Sequence, residues 1–245
     1  MAGMRTWTAL CFAAALSAGA AAGDADRVAT VIGEDISRSE LPAAADDAGQ
    51  ARGLLELVWR RIAPHYIARK GLAATQAEVA ELAAYDREFS AKDRAQRARK
   101  LEELNQRLAT EELGAADRAR LEEFRAVLAR MASRDAERDR LPPPDPDRQA
   151  ASYSPWVEMW KMNKALYQQY GGIVALTRFG HDPHGARAAL LADYERQGLL
   201  RISDARLRER VFALLQARPS MVVPAERVDF TPYWKRPIPP SYFPD

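Results

Sequence analysis

The run Pro142-Pro143-Pro144-Asp145-Pro146 constrains this chain more than any other feature. Each proline lacks a backbone donor and its ring collides with the carbonyl four residues back, so no helix passes through the run. Residues 142–155 therefore read as a linker. Ser154-Pro155 restarts a helix, with serine at the cap and proline in the first turn, where its missing N–H costs nothing.

Before the linker the pattern is helical. Leu54, Leu57, Val58, Ile62 and Ile67 share one face, and Gly71 ends the run. Thr75 and Glu78 have capping-box spacing for a helix that carries Val79, Leu82 and Phe89. Ala91, Ala95 and Ala98 then continue one face as a thin seam, followed by Leu101, Leu104 and Leu108. Gly114 interrupts, and Leu121, Phe124, Leu128 and Met131 repeat the spacing. The two helices between residues 75 and 141 are expected to fold back as an antiparallel hairpin, with one extended arm as the rival arrangement. The charged stretches Arg94 to Arg99 and Arg134 to Arg140 read as solvated helix surface.

Beyond the linker, a helix carries Trp156, Met159, Trp160, Asn163, Leu166, Tyr167 and Tyr170 at helical spacing and stops at Gly171-Gly172. Ile173 to Thr177 reads as a strand, and two helices follow, over Pro183 to Gln197 and Ser203 to Gln216. Residues 156–217 thus form a C-terminal helical lobe with one strand, packed on the N-terminal part. Residues 218–245 form a proline and aromatic tail. Its Tyr233, Trp234, Tyr242 and Phe243 are too apolar to stay in water, which favours a strap across the body over a free polyproline-type ligand.

The start of the chain supplies an address. Arg5, an apolar run from Ala9 to Leu16, and the small residues Ala18 to Ala22 have the form of a cleaved export signal over residues 1–22, and the run is too short for a membrane span. The expected location is the periplasm, with no stable membrane insertion. The single cysteine, Cys11, lies inside this leader, so the mature chain is expected to hold together by burial alone. With 36 basic and 34 acidic residues in the whole chain, loss of Arg5 leaves about +1 by formal count. Nucleic-acid partners are not expected, because phosphate-binding surfaces need clustered positive charge.

Directly after the leader, Val28, Thr30 and Ile32 alternate with Ala29 and Val31, Gly33-Glu34 reads as a two-residue turn, and Asp35-Ile36 begins a second strand. Ser37 and Glu40 have capping-box spacing for a helix start. The Val28 to Ile32 strand is expected to pair with Ile173 to Thr177, giving a mainly α fold with a small antiparallel or mixed sheet.

Val28 to Leu41, VATVIGEDISRSEL, resembles the N-terminal domains of the SurA-type periplasmic chaperones, the parvulin-associated foldases. The resemblance continues through Leu54-Leu55-Glu56-Leu57-Val58, Tyr66-Ile67-Ala68, Arg69-Lys70-Gly71-Leu72 and Thr75-Gln76-Ala77-Glu78-Val79, and covers about Arg27 to Leu82. It implies a helical domain over residues 23–141 that holds clients. Members that isomerise prolyl bonds carry a parvulin module, and here the charged hairpin stands in its place. The resemblance therefore implies holding without catalysis.

No chemical constellation competes with that reading. His181-Asp182-Pro183-His184 offers two imidazoles and a carboxylate, but Asp-Pro is an ordinary helix start and a metal site needs three or four convergent ligands. No metal, cofactor or catalytic residue is expected. His65, alone after Pro64, reads as a tolerated histidine near an apolar face. Trp156, Trp160, Tyr167 and Tyr170 are the candidate client-binding residues, since flat aromatic faces accept many apolar side chains. Such a stripe more often packs a helix into its own core. The expected function is that of an exported, non-catalytic chaperone for unfolded or nascent envelope proteins. A structural adaptor docking through the hairpin is the alternative, and a peptidyl-prolyl isomerase ranks third.

Overall fold

A computed structural model describes residues 26–43, 46–142, 145–177 and 180–242. The leader read at residues 1–22 lies outside the described residues, as does Phe243. In chain order the elements are β1 (Arg27–Val31), β2 (Glu34–Ser37), α1 (Asp47–Lys70), α2 (Gln76–Thr110), α3 (Ala115–Asp139) and α4 (Pro146–Tyr170), then β3 (Val174–Thr177), β4 (Gly180–Asp182), α5 (His184–Arg196), β5 (Leu200–Ile202), α6 (Ala205–Gln216) and β6 (Val222–Val223). The described chain is mainly helical with two small antiparallel sheets. Its described residues divide into two compact units, one from those up to 64 with 187–218 and the other from 65–186 with those from 219 on.

In the first unit the sheet runs β2-β1-β5. The expected hairpin forms, but the register shifts between Arg27 and Ala29, so Val28 and Ala29 are both buried where strict alternation would place them on opposite faces, and the turn is Ile32-Gly33, one residue earlier than the glycine suggests. Both turn residues have positive φ, 55° and 82°, the combination whose twist matches that of the flanking strands. Ile32 is an uncommon occupant, because a branched Cβ is crowded there. Its N–H donates to the Leu199 carbonyl at 2.7 Å.

The other edge of β1 is taken by β5, with Ala29 opposite Ile202 and Val31 opposite Leu200. The expected pairing of Val28 to Ile32 with Ile173 to Thr177 does not occur, because β3 pairs with β4 and β6 in the second unit. Val28, Val31 and Ile36 of this sheet, Leu54, Val58 and Ile62 of α1, and Leu190, Leu191 and Tyr194 of α5 are almost completely removed from water. Each such side chain contributes about 1.5–3 kcal/mol. Ser37 and Glu40 do meet, the Ser37 N–H donating to the carboxylate at 2.7 Å, but they close only a three-residue 3-10 turn and the helix begins later, at Asp47.

In the second unit α2 and α3 fold back on each other across the break at Gly114. Leu104, Leu108 and Leu128 are buried in this hairpin. Ala91, Ala95 and Ala98 are exposed and form no seam. The middle of the hairpin is closed by charge: Arg97 reaches Asp135 at 2.9 Å and Arg94 reaches Asp139 at 2.7 Å. Stretches that read as solvated surface therefore face each other. Long guanidinium side chains lay their apolar stems on the helix surface while their heads span the gap, which alanine is too short to do.

The prolines end a helix less completely than the sequence suggests. Asp145 accepts the Arg148 N–H at 2.8 Å and Pro146 occupies the first turn, so α4 starts eight residues before Ser154 and takes Pro155 inside it. Most of residues 145–155 is thus helix, and α3 and α4 belong to one unit on either side of the break.

Candidate functional site

The site lies in the second unit, where α2, α4, β3 and residues 230–242 surround an open groove of about 790 Å³. Its placement starts at the first turn of α2. Thr75 caps that turn, its Oγ1 accepting the Glu78 N–H at 3.2 Å while its own N–H donates to the Glu78 carboxylate at 2.8 Å. The same carboxylate holds Lys161 of α4 at 3.0 Å, and Lys161 also donates to the Ala73 carbonyl at 2.7 Å. Burial works to raise the Glu78 carboxyl, but the Thr75 and Lys161 donors prevail and hold it below the ordinary value. α2 and α4 are thereby fixed side by side, with Leu82, Tyr85 and Phe89 of one helix facing Tyr153, Trp156 and Trp160 of the other across the groove.

Trp160 is the floor. It is 7% exposed and packs with Leu82, Val157 and Trp234 in one buried cluster. Its indole N–H donates to the Phe230 carbonyl at 2.8 Å, and its ring meets those of Trp234 and Tyr233 edge to face at 5.6 Å and 5.9 Å. Gly180 lets β4 close over it. A Cβ there would lie 2.8 Å from the Trp160 ring, and φ is +99°.

The far wall is the chain's own tail. Trp234 and Ile238 are buried, Tyr233 meets Tyr85 edge to face at 5.3 Å, and Tyr242 meets Phe89 at 6.2 Å. The described part of the tail read as a strap thus packs along α2 and α4 through Tyr233, Trp234 and Tyr242. Arg236 is locked by Asp229 at 2.6 Å and by the Thr231 carbonyl at 3.0 Å, and Lys235 pairs with Glu81 at 3.1 Å. The Trp234 Nε1 is buried with no acceptor among the described residues. An unmet buried donor of this kind costs about 1–3 kcal/mol. The tail is therefore seated by ring packing and ion pairs, against a penalty at its central residue.

The groove is apolar with few charges. Asp86 accepts the Tyr153 hydroxyl at 2.8 Å. Burial and this carboxylate push the Tyr153 phenol up to about 12. Burial likewise raises the Tyr233 phenol, with Asp86 adding to it. These tyrosines stay neutral across the physiological range and act as apolar faces with a donor at the tip.

The four candidate residues separate. Trp156 lines the groove at 41% exposure, whereas Trp160 forms its buried floor. Tyr167 lies beyond the groove, its ring 5.3 Å from Phe230, and Tyr170 is half-buried near the end of α4 and does not line the groove. Tyr85 and Tyr153 carry no signal in the sequence analysis, and Phe89 appears there only in the apolar pattern of its helix. Leu82, Tyr85 and Phe89 follow i, i+3, i+7, and Tyr153, Trp156 and Trp160 repeat it, so one wider aromatic period marks both walls once α4 is extended back to Pro146.

His181 accepts the Asp229 N–H at 3.2 Å and lies beside Phe230. Among the described residues no three His, Cys, Asp or Glu side chains converge on a common point as a metal site would need, and no helix is long and apolar enough to cross a membrane. No family model, curated protein or solved structure matches this chain, and the groove is what points to a function.

Proposed function

We propose that the groove between α2 and α4 holds extended apolar stretches of other polypeptides, and that the protein is an exported, chaperone-like holder of unfolded envelope proteins. The observation that carries the reading is the groove itself, walled by Tyr85, Phe89, Tyr153 and Trp156 and already occupied along one side by a proline and aromatic segment of the same chain. That segment sets Trp234 against Trp160 and lays Pro237 and Pro239 along the same wall, between 3-10 turns at Tyr233–Lys235 and Pro240–Tyr242, so proline and aromatic side chains are the precedent for a client. Aromatic faces make such contacts without a sequence requirement, because burial of apolar area is non-directional. The leader-like residues 1–22 and the resemblance of about Arg27 to Leu82 to SurA-type chaperones support the compartment and the class.

The chemistry needed is binding alone. Each client ring buried in the groove contributes about 1.5–3 kcal/mol before the cost of ordering the client, so affinity is modest and release needs no nucleotide.

The test is suppression of light scattering when an unfolded outer-membrane protein is diluted from urea. Suppression by the wild-type chain at a few-fold excess, weakened by Trp156→Ala with the fold intact, supports the reading. No suppression at several-fold excess rejects it.

A further inference from the structure

The outer flank of α3 carries an apolar stripe turned to solvent. Phe124, Val127 and Met131 are 44%, 37% and 38% exposed, whereas Leu128, on the adjacent face, is buried against α2. The spacing is that of alternating a and d positions of a heptad, and it continues through Asp117 and Arg120 on one side and Arg134 on the other. The flanking g positions are Glu123 and Arg130. Both are exposed, and neither has an ion-pair partner among the described residues.

Independently of the groove, we propose that a second copy of this chain covers the stripe. The two α3 helices pack antiparallel across a two-fold axis, so that two hairpins form a four-helix bundle. The occupant is identified by charge complementarity. In the register that sets Phe124 on the second copy's Val127, the two-fold repeats that contact. It also lays the Arg120 stem on Met131, sets Glu123 opposite Arg130, and sets Asp117, which pairs with Arg120 at 3.7 Å along α3, opposite Arg134, each twice. Sliding to the next antiparallel register, Val127 on Met131, sets Arg130 against Arg130 and Glu123 against Glu137. A parallel arrangement turns Glu123 toward Leu128. Only the first register satisfies the apolar stripe and the charges together.

Three apolar side chains per copy make a small interface, below the roughly 1,200 Å² of a standard stable complex, so the dimer is reversible and concentration-dependent. Its place beside the α2 seam is where a bundle helix meets its second neighbour.

Sedimentation equilibrium of the full chain, under reducing conditions so that Cys11 does not cross-link, decides the matter. The expected result is a monomer–dimer equilibrium abolished by Val127→Glu at unchanged helical content. Glu123→Arg or Arg130→Glu alone should weaken the dimer about tenfold, and the double exchange should return it to within about threefold of wild type. A wild-type monomer at every concentration up to about 1 mM, the weak end of specific association, would overturn the proposal. So would a dimer indifferent to Val127→Glu, or a double exchange that fails to restore association.

Discussion

Trp160 donates its indole N–H to the backbone carbonyl of Phe230 at 2.8 Å, and the same ring meets Trp234 edge to face 5.6 Å away. One side chain of α4 thus holds the tail by a hydrogen bond and by ring packing. Trp160→Ala should cost about 3–5 kcal/mol, as for other large buried aromatics. Trp156→Ala, one turn earlier and 41% exposed, should cost under about 1 kcal/mol. Urea unfolding followed by circular dichroism checks both, and equal losses would contradict the assignment of one ring to the floor and the other to the rim.

Gly180→Ala meets two obstacles at once, a Cβ 2.8 Å from the Trp160 ring and a φ of +99°. Relief of one does not relieve the other. The expected cost is about 2–4 kcal/mol, combining backbone strain with overpacking, and the tryptophan fluorescence of the folded state should shift. An alanine variant as stable as wild type would show that β4 does not close over the indole.

Ion pairs across the hairpin and along one helix differ in burial. Arg97 and Asp135, on facing helices, are 18% and 17% exposed at the side chain, whereas Arg120 and Asp117, three residues apart on α3, are 80% and 68% exposed. Asp135→Ala should therefore cost about 1–3 kcal/mol, because it leaves guanidinium groups short of a partner in partial burial. Asp117→Ala should stay within about 0.5 kcal/mol at low protein concentration. Amide exchange in the middle of α2 and α3 should quicken for the first variant and not for the second.

Asp204 links two parts of the first unit, accepting the Leu207 N–H at 3.0 Å and an Arg38 N–H at 2.8 Å. The Arg38 bond and then the Leu207 N–H hold its carboxyl below the ordinary value. With the folded pKa below the unfolded one, the stabilisation is fully present above the unfolded value near ~4 and is lost as pH falls through the folded value. Asp204→Asn keeps a cap acceptor without the charge. It should be about 1 kcal/mol less stable than wild type at neutral pH, with the gap closing as pH drops below about 4. Urea midpoints across that range test this, and a gap independent of pH would rule out the ionic contribution.

Much of this fold was legible because periodicity and caps are local. Thr75 with Glu78 caps α2 as its spacing requires, Gly114 breaks the hairpin, and the first two strands pair as a hairpin, although a register shift at Arg27 to Ala29 breaks the alternation. What escaped was non-local. β5 is three residues long, too short to alternate visibly, yet it takes the edge of β1 that the longer Ile173 to Thr177 segment was expected to fill. The hairpin seam was read from alanines by apolarity alone, whereas paired Arg and Asp side chains of complementary reach closed it. Half of the groove was visible as the Trp156 and Trp160 stripe. Its other wall comes from Tyr85 and Phe89 of a distant helix and from the tail, and only tertiary packing brings these together.

The edge pairing of Val31 with Leu200 has a consequence for how the polypeptide acquires its shape. A ribosome or a secretion channel delivers the amino end first, so β1 and β2 emerge long before the strand that completes their sheet. Until Leu200 to Ile202 are out, that opening hairpin keeps one edge bare, with only α1 to pack on it. The α2–α3 hairpin, built from neighbouring contacts, can form in the meantime. Maturation of the first unit is thus a late event, timed by delivery of the carboxyl-terminal quarter.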